Sequence, residues 1–428
     1  MSGNHVTKFI DNMEIRITID REGSNVPTVM GSGVSAKEMA TVGPYIRSAL
    51  SKNERRTDFL GSSSGANFDS WNVATVSDEF DHYAGYCMPC VGSADNVNLT
   101  GAQKELLLWH WKLGISMRRV QQLMRAQKFE EPTGTKGVFD PVITPKIPAA
   151  ASCPIPVCES CELARARQRN PKVVKTKAIK EKQGILSADK YMPGDFVSTD
   201  QYVVNTPGRL PEGFGREHER NKFHGGTIFR DAASKVIHVE NQVSLGAGEI
   251  VMSKERFEEW LWEQAAVRVK EYHSDNGIFT SELFKEACAE NQQKQSFSGV
   301  GAKHQNAEAE QAIMSITYMA RSLMIHCCLH WSSDGADDLE LWSSAVDHAA
   351  WLYNRLPQQM SGLTPLELLT GVRADHRDVR RAHIWGCPVF VLDPKLQDGK
   401  KLPKWNRRAR MGQFLSFSSS HSSLVAMV

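Results

Sequence analysis

The chain has 428 residues, 41% of them apolar and 23% charged, with a formal net charge of +2. That composition suits a soluble globular protein of about two to four domains and excludes an acidic or low-complexity disordered chain. Nine cysteines over this length do not make a disulfide scaffold. No apolar run approaches the roughly 20 residues that span a bilayer, and Met1-Ser2-Gly3-Asn4-His5 does not open a signal peptide. The expected setting is therefore reducing and intracellular, where paired cysteines suggest metal rather than disulfide.

Residues 1–95 are weakly patterned, with one alternating strand over Met13–Ile19 and loop-like tracts such as Gly61-Ser62-Ser63-Ser64-Gly65. Over 102–127, Leu106, Leu107, Trp109, Leu113, Val120, Leu123 and Met124 recur at helical spacing. Gly114 breaks that pattern, so two short helices with a turn between them are expected. A Pro- and Ala-rich connector, about Pro132 to Pro156, leads to Cys158-Glu159-Ser160-Cys161. A basic stretch follows, with Arg165, Arg167, Arg169 and Lys172 among eight Lys and Arg up to Lys182 against only Glu181. It reads either as phosphate contacts or as a solvated linker.

From 194 to 330 the pattern is strand, strand, strand, helix, strand, helix, strand, helix. Strands are expected at Phe196–Val204, Gly225–Phe229, Val236–Asn241, Val267–Tyr272 and Lys294–Phe297, and helices at Gly246–Ala265, Ser281–Asn291 and Asn306–Cys327. That order predicts an α/β fold, a mixed sheet covered by helices. Residues 340–372 look helical, and after Trp385 come short strands and basic loops holding Lys400, Lys401, Lys404, Arg407, Arg408 and Arg410. The resulting divisions are 1–95, 100–165, a basic linker 166–193, a core 194–330 and a C-terminal region 331–428.

Three carboxylates stand out. Asp200 ends an alternating strand, Asp275 sits in His273-Ser274-Asp275-Asn276-Gly277, and Glu310 opens a long helix. Acids delivered by two strand ends and a helix can cage two divalent cations that clamp the attacking and leaving oxygens of a phosphodiester. The same Asp-Asn-Gly is equally an ordinary turn, and Glu308 and Glu310 are equally charges meeting a helix dipole. A second group joins His110 to Cys158-x-x-Cys161, donors suited to tetrahedral Zn²⁺. Cys87-Met88-Pro89-Cys90 repeats the spacing, and for both pairs the alternative is a pair of small buried apolar residues. His273 either orients a ligand or packs. Cys327-Cys328, Trp260, Trp262 and Trp342 read as packing residues.

The stretch from about 105 to 418 resembles the integrase of copia-type LTR retrotransposons. Leu108-Trp109-His110-Trp111-Lys112-Leu113-Gly114 is similar to that family's Leu-Trp-His-x-Arg-Leu-Gly-His opening, and Cys158-Glu159-Ser160-Cys161 to its paired-cysteine element. His273-Ser274-Asp275-Asn276-Gly277 and Gln305-Asn306-Ala307-Glu308-Ala309-Glu310 resemble its two acidic motifs. Tyr353-Asn354-Arg355-Leu356-Pro357, Thr364-Pro365-Leu366-Glu367-Leu368-Leu369 and Trp385-Gly386-Cys387-Pro388-Val389 resemble segments beyond the core.

The resemblance implies an RNase H-like mixed five-stranded sheet with flanking helices. A small helical zinc-binding subdomain would precede it, and a helical then short-stranded region would follow. It implies an Asp200, Asp275, Glu310 triad holding Mg²⁺ or Mn²⁺, with Zn²⁺ on His110, Cys158 and Cys161. The chemistry would be processing of element DNA 3′ ends and their transfer into target DNA. Double-stranded DNA and further copies of the chain would be the partners, with no membrane, in the nucleus or a cytoplasmic particle. Arg165, Arg167, Arg169, Lys172, Lys404, Arg407 and Arg408 would contact DNA.

The chain also departs from the pattern. Ile115 falls where the family has its second zinc His, leaving Cys153, Cys87 or Cys90 as substitutes. Ala307 replaces a Gly, and Gln311 and Ala312 replace basic residues. The spacing between the second and third acids is one residue short with Glu310 and shorter still with Glu308, which selects Glu310. These departures support an alternative: a catalytically inactive or repurposed DNA-binding and assembly module derived from an integrase.

Overall fold

The computed structural model describes residues 98–130, 136–165, 191–211, 221–299, 306–331, 338–359, 361–397, 399–418 and 425–428, together with three strands near the N-terminus. Those strands, β1 (Asn4–Ile10), β2 (Met13–Asp20) and β3 (Thr28–Gly31), form one antiparallel sheet in the order β1-β2-β3. Only β2 was expected. In β1 the apolar residues Val6, Phe9 and Ile10 do not follow a period of two, so pattern reading passes over it.

The chain divides into two compact units. One comprises Met1–Ala164, Ser322–Asp338 and Ala382–Val428, the other Arg165–Arg321 and Leu339–Arg381. In the first, α1 (Gly101–Leu113) opens with a reciprocal cap between Thr100 and Gln103 and stops at Gly114, whose φ of 61° suits a residue without a side chain. Helix α2 (Met117–Leu123) follows, then the hairpin β4 (Gln127–Glu130) and β5 (Lys136–Phe139), and α3 (Glu159–Arg165). Leu106, Leu107, Leu113, Val120 and Leu123 are all buried, which is the stripe their spacing marks.

The second unit contains β6 (Val197–Gly208), β7 (Phe223–Asp231), β8 (Ile237–Gln242), α4 (Ala247–Ala265), β9 (Glu271–Ser274), α5 (Glu282–Glu290) and β10 (Lys294–Phe297). The strands form one sheet in the order β10-β9-β6-β7-β8. β9 runs parallel to β6 and β10, while β7 is antiparallel to both β6 and β8. This mixed sheet with its flanking helices is the RNase H-like, integrase-core fold. The strand expected at Val267–Tyr272 begins only at Glu271. Val269 is buried, so the alternation reports burial, but the backbone there bonds to a loop, Lys270 N–H donating to Gly194 O at 2.8 Å.

One sheet face carries Val197, Phe229 and Tyr272, which pack with Ile250, Phe257 and Leu261 of α4 and with Phe284 and Cys288 of α5. Phe229 and Phe257 stack with ring centroids 4.6 Å apart. Alternation sends Ser198, Asp200, Arg230 and His273 to the opposite face. β7 sits close to both neighbours, and a Cβ on Gly225 would lie 2.1 Å from Tyr202 O. Only glycine fits there.

Helix α6 (Ala307–Trp331) follows the sheet, its residues to Arg321 in the second unit and the rest in the first. Among the described residues it is the one helix long and apolar enough to cross a membrane, against the expectation that no run approaches that length. Half of its most apolar window is buried inside the protein, which accounts for the composition. Helices α7 (Trp342–Arg355), α8 (Pro365–Thr370) and α9 (Arg377–Arg381) complete the second unit. α7 is pinned to β8 by Asn354, whose amide donates to Ile237 O at 2.7 Å and whose carbonyl accepts from Ile237 N at 2.9 Å. The chain ends with β11 (Pro388–Leu392), α10 (Pro394–Gln397), β12 (Ala409–Gln413), β13 (Ser416–Phe417) and β14 (Ala426–Met427), two small antiparallel pairs of strands.

Candidate active site and metal cluster

Ser198 on β6 pairs with His273 on the parallel strand β9, and two residues beyond that rung lie Asp200, still within β6, and Asp275, the first residue past the end of β9. Asp200 is half-buried. That desolvation pushes its carboxyl up to about 6; the Gln201 N–H, donating to Oδ1 at 2.8 Å, pulls the other way, and the charges of Asp275 and Glu310 push it up further. Asp275 is exposed, and its Oδ1 accepts from Gly277 N at 3.1 Å. The turn reading of this motif therefore holds at Asp275 alongside its position beside Asp200. Asn276 anchors the turn by donating to Ser298 O at 2.6 Å. His273 packs: its ring stacks on Phe196 at 5.5 Å, with Nδ1 3.0 Å from Ser296 Oγ.

The two glutamates of α6 divide their roles. Glu308 is paired with Arg230 Nε at 3.0 Å and Lys235 Nζ at 3.4 Å, while Arg230 Nη1 also donates to Glu308 O at 3.1 Å. Glu310 instead lines a shallow, open groove of about 370 Å³ with Ile313, Met314, Thr317, Tyr318 and Arg321, and its charge reaches Asp200. Just before α6, buried Asn306 donates to Thr199 O at 3.2 Å, tying the helix start to the residue preceding Asp200. Sequence reasoning missed Arg230, although an arginine directly after the strand run Thr227-Ile228-Phe229 was a visible signal.

The ligand atoms of His110, Cys158 and Cys161 all lie within 4.8 Å of one another, the one such group among the described residues. The three acids do not gather so tightly. His110 Nε2 is 3.2 Å from Cys161 Sγ, and its Nδ1 is 2.5 Å from Ile115 O. If Nδ1 carries the proton, the imidazole presents its Nε2 lone pair to the thiols, the arrangement that orients metal-bound histidines. Ile115, where a second ligand was missing, thus supplies a backbone carbonyl. The Cys158 thiol is held well below its usual range, chiefly by the hydrogen bond from Cys161, with burial opposing and His110 and Ser160 assisting. Two cysteine sulfurs, one of them thiolate-prone, and an oriented imidazole fit a borderline-soft ion.

Of the substitutes considered for a fourth donor, Cys153 lies outside this group, its Sγ 3.6 Å from Ala150 O, and Cys87 and Cys90 lie outside the described residues. Sequence reasoning also missed His326 and His330, one turn apart on α6. Their rings are 4.1 Å apart and pack on Trp111 at 4.8 and 5.3 Å. Burial lowers the pKa of both, that of His330 to about 3, so each ring is neutral.

The side chains of Arg165, Arg167, Arg169 and Lys172 lie outside the described residues. Lys404, Arg407 and Arg408 are exposed ahead of β12, beside Trp405, which is 89% exposed with Lys404 Nζ 5.3 Å over its ring. Trp342 packs as expected, edge-on to Tyr202 with Nε1 donating to Thr206 O at 2.8 Å.

No family model matches the chain, and no curated protein does. Among solved structures, similar chains are integrase catalytic cores. The magnesium-bound HTLV-2 core is 17% identical, with 41% of this chain and 97% of that one covered and a TM-score of 0.30. The bovine immunodeficiency virus (BIV) core is 14% identical over 41% and 93%, with a TM-score of 0.28. A simian T-cell lymphotropic virus intasome bound to a PP2A regulatory subunit is 14% identical over 53% and 70%, with a TM-score of 0.32. Likenesses this distant carry no weight for function, and the fold assignment rests on strand order and direction.

Proposed function

We propose that this chain is the integrase region of a copia-type LTR retrotransposon, a metal-dependent polynucleotidyl transferase that processes the element's DNA ends and joins them to target DNA. The observation that carries the reading is that Asp200 on β6 and Asp275 just past β9 lie two residues beyond the same rung, with the charges of Asp275 and Glu310 both acting on Asp200 and Glu308 occupied elsewhere. Asp200, Asp275 and Glu310 would hold Mg²⁺ or Mn²⁺, since carboxylates alone suit hard cations. When bound, such ions stabilise the attacking and leaving oxygens of an in-line displacement. Around them, Asn306 fixes where α6 begins, and Arg230 keeps Glu308 turned away. The exposed Lys404, Arg407 and Arg408, with Arg165, Arg167, Arg169 and Lys172, would bind phosphates of double-stranded DNA. Zn²⁺ on His110, Cys158 and Cys161 would brace the helical N-terminal piece, in a protein acting on DNA as a multimer in the nucleus.

Purified chain incubated with blunt element-end DNA, a plasmid target and Mn²⁺ should yield strand-transfer product, and Asp275→Asn should lower it by at least ~100-fold. Product that survives Asp275→Asn would refute the assignment. The second reading, an inert DNA-binding module, is favoured by Asp275 Oδ1 being engaged by its own turn and by acids that do not gather to ligand spacing. It predicts salt-sensitive DNA binding with no product in either metal.

A further inference from the structure

We propose that His330, from the far end of α6, is the fourth ligand of the metal centre begun by His110, Cys158 and Cys161. This rests on the reading of that cluster as a zinc site. A structural Zn²⁺ takes four donors, and the cluster offers three. The residue that would follow the family pattern is Ile115, whose side chain has no donor. The missing donor must therefore come from elsewhere in the same unit, which contains residues 322–338 as well as α1 and the cysteines.

Trp111 links the two places. Its Nε1 donates to Cys158 Sγ at 3.4 Å, and its ring packs against both His326 and His330. Both ring nitrogens of His326, and Nε2 of His330, are buried with no hydrogen-bond partner. Buried polar nitrogens without partners are rare and costly, at roughly 1–3 kcal/mol each. Of the two rings, His330 is the one whose surroundings include the Cys158 charge, whereas His326 faces His330 and His110. Cys153, the other candidate nearby, is engaged with Ala150 O and Gln121. Two thiolates and two neutral imidazoles around Zn²⁺ also sum to zero charge, which suits a site closed off from water.

The test uses the full chain, stripped with chelator under reducing conditions and titrated with Co²⁺, then with competing Zn²⁺. Wild type should show the strong visible bands of a four-coordinate ion together with thiolate charge transfer. His330→Asn should keep the charge transfer, weaken the visible bands and lower affinity at least about 10- to 100-fold, the scale known for outer-shell losses. His330→Cys should restore affinity and add charge-transfer intensity, while His326→Asn should change neither; far-UV circular dichroism checks that each variant is folded. Wild-type affinity and spectrum in His330→Asn would overturn the proposal. Absence of Co²⁺ and Zn²⁺ binding by wild type would instead overturn the zinc reading itself, an outcome that Cys158→Ser would share.

Discussion

Asp200→Asn should make the metal-free protein more stable, and only above a definite pH. Burial first, and then the charges of Asp275 and Glu310, raise this carboxyl from an ordinary 3.8 to about 6. Full ionisation against that shift costs ~3 kcal/mol. Because part of the carboxyl still meets solvent, about half of that, ~1.5 kcal/mol, is the expected effect. The sign follows from proton uptake. Between pH 3.8 and about 6 the folded state binds more protons here than the unfolded state, so wild type loses stability as pH rises through that window. The amide variant does not titrate, so the two proteins should be equally stable near pH 4 and differ by ~1.5 kcal/mol at pH 8. Urea unfolding at both pH values, in chelator, measures the gap. Adding Mn²⁺ at pH 8 should then stabilise wild type and not the variant, reversing the order. A gap that is absent at pH 8, or equal at pH 4 and pH 8, would refute the argument that burial and its acid neighbours raise the Asp200 carboxyl.

Three other outcomes are expected. Glu308→Ala should cost about 1–2 kcal/mol by stranding the buried Arg230 while leaving strand transfer within a few-fold, and Glu310→Ala should show the reverse, near-wild-type melting with at least ~100-fold less product. Gly386→Ala should destabilise by ~2–4 kcal/mol, because φ is 74° and a Cβ would sit 2.0 Å from Cys327 Sγ; Gly399→Ala, with φ of 73° and open space around it, should cost only ~1 kcal/mol in the same thermal melts. Asp347, pushed up to about 7 by burial and then by Glu240, is protonated at low pH, so wild type should lose stability as pH rises toward 7 and Asp347→Asn should be more stable by ~1–3 kcal/mol at pH 8 but not at pH 4.

Local pattern revealed what local forces decide. Lys294–Phe297 matches its expected strand, and α1 stops at Gly114 because the αL turn there is written in one residue. Val267–Tyr272 shows the limit, since a buried alternating segment and a hydrogen-bonded strand look alike until a neighbour is chosen. The candidate site divides the same way. Cys158 and Cys161 announce themselves by spacing, and Asp200 by its place in a strand. Choosing Glu310 by spacing agrees with Glu308 being held by Arg230, but Arg230 lies 78 residues away in sequence. His326 and His330 were illegible because an i, i+4 pair inside an apolar helix looks like core; only the fold sets them against Trp111.

The ladder between β6 and β9 is two residue pairs long and ends at Ser198 and His273. Past that last rung β6 runs on through Asp200, while the chain leaves β9 after Ser274 and carries Asp275 into a turn. No rung between β6 and β9 spans the gap between the acids. Asp200 is instead held from its other side by pairing with Ile228 of β7, so a charge entering the gap meets one acid fixed in the sheet and one carried by a turn.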